Sequence, residues 1–145
     1  ASLDEFRLTR YRDLEPNPSV VQWLREQGDG IEHVAITKTP LVAAPVVSDW
    51  VLRHFGSWIR CFIVVPSPRS SDPAGIRPES KGEVLQRFQG PSLLVDDAQP
   101  NLDSLAGTSV VGVRFPRPWN GGGDVGATLS ECKAWVASVI DPASA

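Results

Sequence analysis

Cysteine and histidine are scarce: two of each in 145 residues. Cys61 and Cys132 lie far apart in apolar runs (RCFIVV and ECKAWV), with no CxxC pair and no histidine partner. That predicts reduced thiols in a core, with a disulfide as the open alternative. His33 falls within a strand pattern and His54 within a helix pattern, with no ligand spacing between them, so both read as structural. Long apolar runs are also missing. None approaches the roughly 18 residues of a membrane span, so no membrane partner is expected. An excess of positive charge is absent too: net charge is −3 and neither half is strongly basic, which argues against a nucleic-acid partner. The polar, charged start ASLDEFRLTR has no signal-peptide pattern, and with reduced thiols this leads to the expectation of a cytoplasmic protein. No serine sits in a nucleophile elbow, which leaves Ser/His/Asp catalysis without support. Gly121, Gly122 and Gly123 do not link a strand directly to a helix, and no lysine follows in the right place, so they read as a flexible loop and not as a phosphate loop.

What remains is an ordinary globular composition, 41% hydrophobic and 21% charged, at a length that suits one domain over residues 1–145. Asn17 to Gly28 carries a cap, a proline at the first helical position and a glycine stop, and predicts a helix. Ile31 to Thr39 and Trp58 to Pro66 read as strands; between them Val42 to Phe55 is apolar with helical period, and Pro45 places the start of the helix proper near there. Glu79 to Gln89 reads as a short helix, Ser92 to Asp97 as a third strand, Pro100 to Ala106 as a helical turn and Ser109 to Phe115 as a fourth strand. Thr128 to Ile140 closes the chain as a helix, with Thr128 and Glu131 matching a capping box. Strands alternating with helices imply parallel pairing and a doubly wound α/β domain: a three-layer, Rossmann-like, mostly parallel sheet with helices on both faces. Ligands in such folds sit beyond the carboxyl ends of the strands. That rule gathers Thr37, Lys38 and Thr39, then Ser67 and Arg69, then Asp96 and Asp97, then Arg114, Arg117 and Asn120.

Asp96 and Asp97, two acids where the apolar run SLLV ends, are the strongest signal. Like charges side by side repel and call for a cation or a shell of donors. Oxygen ligands of this kind suit Mg²⁺, which takes one or two carboxylates and keeps waters. The plainer alternative is that one aspartate caps the next turn and the other is solvated. Thr37 can offer a hydroxyl to a phosphate oxygen or simply favour a strand. Lys81, near the start of a short helix, can add its charge to a helix end that attracts anions, or lie in solvent. Arg69, Arg114 and Arg117 can hold phosphate or keep loops soluble.

In order, VAIT ending at Thr37, SKGEVL with Lys81, and LLVDD with Asp96 and Asp97 resemble the second, third and fourth motifs of the haloacid dehalogenase superfamily of phosphatases and phosphotransferases. VGVRFPRPWN resembles the following strand and loop of that family's nucleotidase-like members, and the resemblance covers roughly Pro18 to Asn120. It implies a haloacid-dehalogenase-like fold in which Thr37 bonds the transferring phosphoryl group, Lys81 neutralises its charge and orients the nucleophile, and Asp96 and Asp97 help bind Mg²⁺. The expected activity of a complete enzyme is Mg²⁺-dependent hydrolysis of a small phosphorylated molecule. The family's nucleophile is the first aspartate of a DxD at the end of a first, central strand, and no DxD occurs in these residues. That strand is missing, replaced or supplied by another chain. Glu5 to Tyr11 is the only N-terminal run with strand-like alternation, and an unfilled sheet centre makes a homo-oligomer plausible. Two alternatives stand beside this reading: a degenerate relative that binds or regulates without chemistry, and an unrelated Rossmann-like interaction domain.

Overall fold

The computed structural model describes residues 3–66 and 72–141. Contacts divide the chain into two compact units, Ala1–Glu79 and Ser80–Ala145. The chain is mixed α/β with parallel pairing. Among the described residues the four strands form two separate two-stranded parallel sheets, not one continuous ladder.

The first unit begins with α1, Leu3–Thr9. Glu5 to Tyr11 is therefore not a strand: residues 5–9 are helical, and a 3-10 turn runs over Tyr11–Asp13. In α2, Pro18–Gln27, the Asn17 side chain accepts from Ser19 N and Val20 N, and Pro18 fills a first-turn position where its missing N–H costs nothing. Strand β1, His33–Thr37, pairs in parallel with β2, Ile59–Val64, with Thr37 opposite Val64. Between them a 3-10 turn, Leu41–Ala43, leads into α3, Ala44–Phe55. The helix starts near Pro45 as the sequence suggests, since proline fits the first turn of an α-helix and breaks its interior. Val47, Val51 and Phe55 recur every four residues and are the buried face of α3. Trp50 ties this helix to the chain before it, with its ring edge-on to Tyr11 and its Nε1 donating to Leu14 O at 2.6 Å. His54 packs against the same ring, and His33 Nε2 meets Gly28 O at 3.2 Å.

In the second unit α4 spans Lys81–Leu85, shorter than the pattern over Glu79–Gln89 suggests. Strand β3, Leu93–Asp96, leads into α5, Gln99–Asp103, and then β4, Val111–Arg114. β3 and β4 are parallel, with Leu94 opposite Gly112 and Asp96 opposite Arg114. The closing helix α6, Val125–Ile140, starts three residues before the predicted Thr128. Its cap is Asp124, whose carboxylate accepts from Gly126 N at 2.7 Å, so the Thr128/Glu131 box lies inside the helix. Buried Leu94, Val113, Val84, Leu85, Leu105, Cys132 and Val136 are the core residues of this unit. Both cysteines are free thiols, and burial pushes Cys132 up to about 11, which keeps it protonated and unreactive at neutral pH. Among the described residues no helix is long and apolar enough to cross a membrane.

Burial holds the His33 imidazole below its ordinary value of 6.5, partly offset by the Gly28 carbonyl. The unfolded chain then binds this proton more readily than the folded one. The contribution is complete above about pH 6.5 and is lost as pH falls towards the depressed folded value. Melting at pH 7.5 and 5.5 should show a larger acid loss for wild type than for His33→Gln; equal losses would refute this origin.

Candidate functional site

Ser80 and Lys81 set the first feature of the site. Ser80 Oγ accepts from Glu83 N at 3.0 Å, and Glu83 Oε2 accepts from Ser80 N at 2.6 Å. This reciprocal cap satisfies two donors that a helix start leaves open. It also fixes Lys81 as the first residue of α4. Lys81 is only 7% exposed and Asp96 only 6%, and Lys81 Nζ lies 2.5 Å from Asp96 Oδ2. Charges removed this far from water are tolerated only when paired and hydrogen-bonded.

The second oxygen of Asp96 is also engaged. Asp96 Oδ1 accepts from Ala98 N at 2.9 Å and from Asn101 Nδ2 at 3.0 Å. The carboxylate thus joins the end of β3 to the first turn of α5 and the start of α4. A second link closes the ring: Gly82 N donates to Ser104 Oγ at 3.1 Å, and Ser104 Oγ donates to Asn101 O at 2.6 Å. Gly82 is required at this crossing, because a Cβ there would meet Ser104 O at 2.0 Å.

Asp97 has a different environment. It is half-buried, and among the described residues no donor reaches its carboxylate. Its backbone carbonyl accepts from Asn120 Nδ2 at 2.8 Å. The same amide donates to Phe115 O at 2.9 Å, while Asn120 Oδ1 accepts from Arg117 N at 2.8 Å. One side chain therefore pins the loop after β4 to the end of β3. The chain then turns through Gly121 at φ 93°, a left-handed conformation that glycine adopts without steric cost.

The predicted residues divide accordingly. Lys81 and Asp96 meet, and Asp97 stands beside them in sequence with its carboxylate outside that pair. Arg114 is exposed and donates from Nη1 to Asn120 O at 3.3 Å. Arg117 stacks its guanidinium over the Phe115 and Trp119 rings, at 4.9 and 5.7 Å from their centroids. Both arginines thus serve the loop itself. Thr37 belongs to the first unit, where its hydroxyl accepts from Thr39 N at 3.2 Å. Arg69 and Ser67 lie outside the described residues. Asn101 was not anticipated; the signal was a side-chain amide in the first turn of the helix that follows a buried strand-end acid.

Among the described residues no group of three or more His, Cys, Asp or Glu side chains gathers for a metal. Mg²⁺ does not need one, because a single carboxylate with waters and a phosphate is a common set for it. Asp97 fits that description and Asp96, with both oxygens engaged, does not. No family model, curated protein or solved structure matches this chain.

Two variants test the ring. Lys81→Met should destabilise the protein by about 3–5 kcal/mol by leaving a buried carboxylate uncompensated. Lys81→Met with Asp96→Leu should cost less than the sum of the singles in a denaturant-unfolding cycle; additivity would show that the pair is not coupled. Gly82→Ala should cost about 1–3 kcal/mol through forced displacement of the α5 end, and a neutral result would contradict the close approach.

Proposed function

We propose that the protein is a phosphate-binding α/β domain of the haloacid dehalogenase type, which holds a small phosphorylated molecule together with Mg²⁺. The observation that carries this reading is the buried contact between Lys81, at the start of α4, and Asp96, at the end of β3. The resemblance assigns one site to a lysine from the third motif and acids from the fourth, and a chance match of short motifs gives no reason for them to meet.

The division of labour follows from the hydrogen bonds. Asp96 holds the Lys81 ammonium in place, and the ammonium supplies positive charge to a phosphoryl group. Asp97 is the carboxylate that would hold Mg²⁺, which when bound neutralises phosphoryl oxygens and orients them. Asn120 fixes the backbone at Asp97 and so limits where its carboxylate can reach. Turnover needs an acid nucleophile placed by a central strand. The 145 residues contain no DxD, so on their own they bind without hydrolysis. A domain that binds or regulates without chemistry is the second reading, and the absence of DxD favours it.

Calorimetry with MgCl₂ in the presence of inorganic phosphate separates these ideas. Wild type should bind the cation, and Asp97→Asn should weaken binding by at least about tenfold, the loss usual at the low end even for outer-sphere changes. Absence of binding, or no change in Asp97→Asn, sinks the reading. Hydrolysis of a generic phosphomonoester above the level of an Asp96→Asn control would instead show that these residues carry their own nucleophile.

A further inference from the structure

The side-chain amide of Asn120 is spent on three backbone partners. Its Nδ2 donates to Asp97 O at 2.8 Å and to Phe115 O at 2.9 Å, and its Oδ1 accepts from Arg117 N at 2.8 Å. Gly122 N donates to Arg117 O at 2.9 Å and closes the same loop. Asn120 is half-buried. The next peptide nitrogen is in the opposite condition: Gly121 is exposed, and among the described residues its N–H has no acceptor.

An asparagine followed by glycine is open to attack from its own backbone. The glycine nitrogen, after losing its proton to hydroxide, adds to the side-chain carbonyl carbon. The Cγ–Nδ2 bond breaks, ammonia leaves and a cyclic imide forms. Water then opens the imide at either carbonyl, leaving aspartate or isoaspartate. The net change is water consumed and ammonia released, with no oxidant or reductant. Glycine favours the attack because no Cβ shields its nitrogen. The chain's other asparagines lack this route. Pro18, after Asn17, has no N–H to lose. Leu102, after Asn101, lies inside α5 with its N–H bonded to Ala98 O at 3.5 Å.

We propose that Asn120–Gly121 is a self-modification site gated by the loop that Asn120 holds shut. The three bonds fix the amide against the rotation that attack requires, and each opening of the loop exposes it. The product cannot close the loop again. A carboxylate has no N–H to offer Asp97 O or Phe115 O, and it sets acceptor against acceptor there. Isoaspartate also lengthens the main chain by a methylene where Gly121 turns at φ 93°. Modification therefore converts a reversible opening into permanent release of the loop after β4 from the end of β3.

Peptide mapping by mass spectrometry after incubation at mildly alkaline pH tests this on wild type, folded in buffer and unfolded in guanidinium chloride. The unfolded chain should deamidate at Asn120 and not at Asn17 or Asn101. The folded protein should deamidate at the same residue at least about tenfold more slowly, since attack waits for a local opening that breaks the hydrogen bonds of the amide. The acidic product, separated from aged folded protein by ion exchange, should melt below the unmodified fraction, and Asn120→Asp should melt below wild type. The proposal is overturned by equal rates in the folded and unfolded chain, by an Asn120 that stays intact in guanidinium chloride, or by a deamidated fraction or an Asn120→Asp variant that melts like unmodified protein. The two rate measurements use wild type alone, so they decide the matter even where Asn120→Asp does not fold.

Discussion

A buried ammonium has to be paired, and the second unit is organised around that requirement. Lys81 is fixed by a reciprocal cap at the first position of a five-residue helix and meets a carboxylate fifteen residues later in the chain. Asp96 in turn spends its other oxygen on α5. The contact therefore ties the start of α4, which the cap fixes, to the end of β3 and the first turn of α5, beside the close approach of Gly82 to the Ser104 backbone. A charge pair of this kind is weak evidence for net stability, because desolvation offsets much of the attraction. Its value is in positioning: a single geometry satisfies all the partners at once.

Two adjacent acids take different roles because neighbouring residues at a strand end project to opposite sides. Asp96 turns into the core and meets the ammonium. Asp97 stays half-buried, its backbone held by Asn120 and, among the described residues, its carboxylate without a hydrogen-bond donor. Repulsion between them is relieved by giving one carboxylate a full set of donors and leaving the other near solvent. An isolated strand-end pair would allow either a capped turn or a metal site. The structure assigns the turn-capping part to Asp96, which accepts from Ala98 N.

The arginines teach the opposite lesson. Charge near a strand end suggested an anion grip, yet Arg117 lies over two aromatic rings and Arg114 bonds the loop backbone. Guanidinium groups stack and fork readily, so a local aromatic or carbonyl competes well for them.

Element order and type were legible in the sequence, because apolar periodicity, proline and glycine placement and strand composition are local properties. The helix over Asn17 to Gly28 and the four strands follow from such local signals; Asp96 and Asp97 stood out as a pair at a strand end, and Lys81 through the motif resemblance. Local signals also misled where several starts compete: Asp124 outbids Thr128 as the cap of α6, and Glu5 to Tyr11 alternates like a strand but folds mostly as a helix. Partner choice was not legible. That Asp96 and not Asp97 meets Lys81, that Asn101 completes the shell, and that the strands pair two by two depend on contacts between residues distant in the chain. Only tertiary structure decides such contacts, because each is selected by the cost of leaving a buried charge or donor unmet, and sequence spacing does not record which groups become buried together.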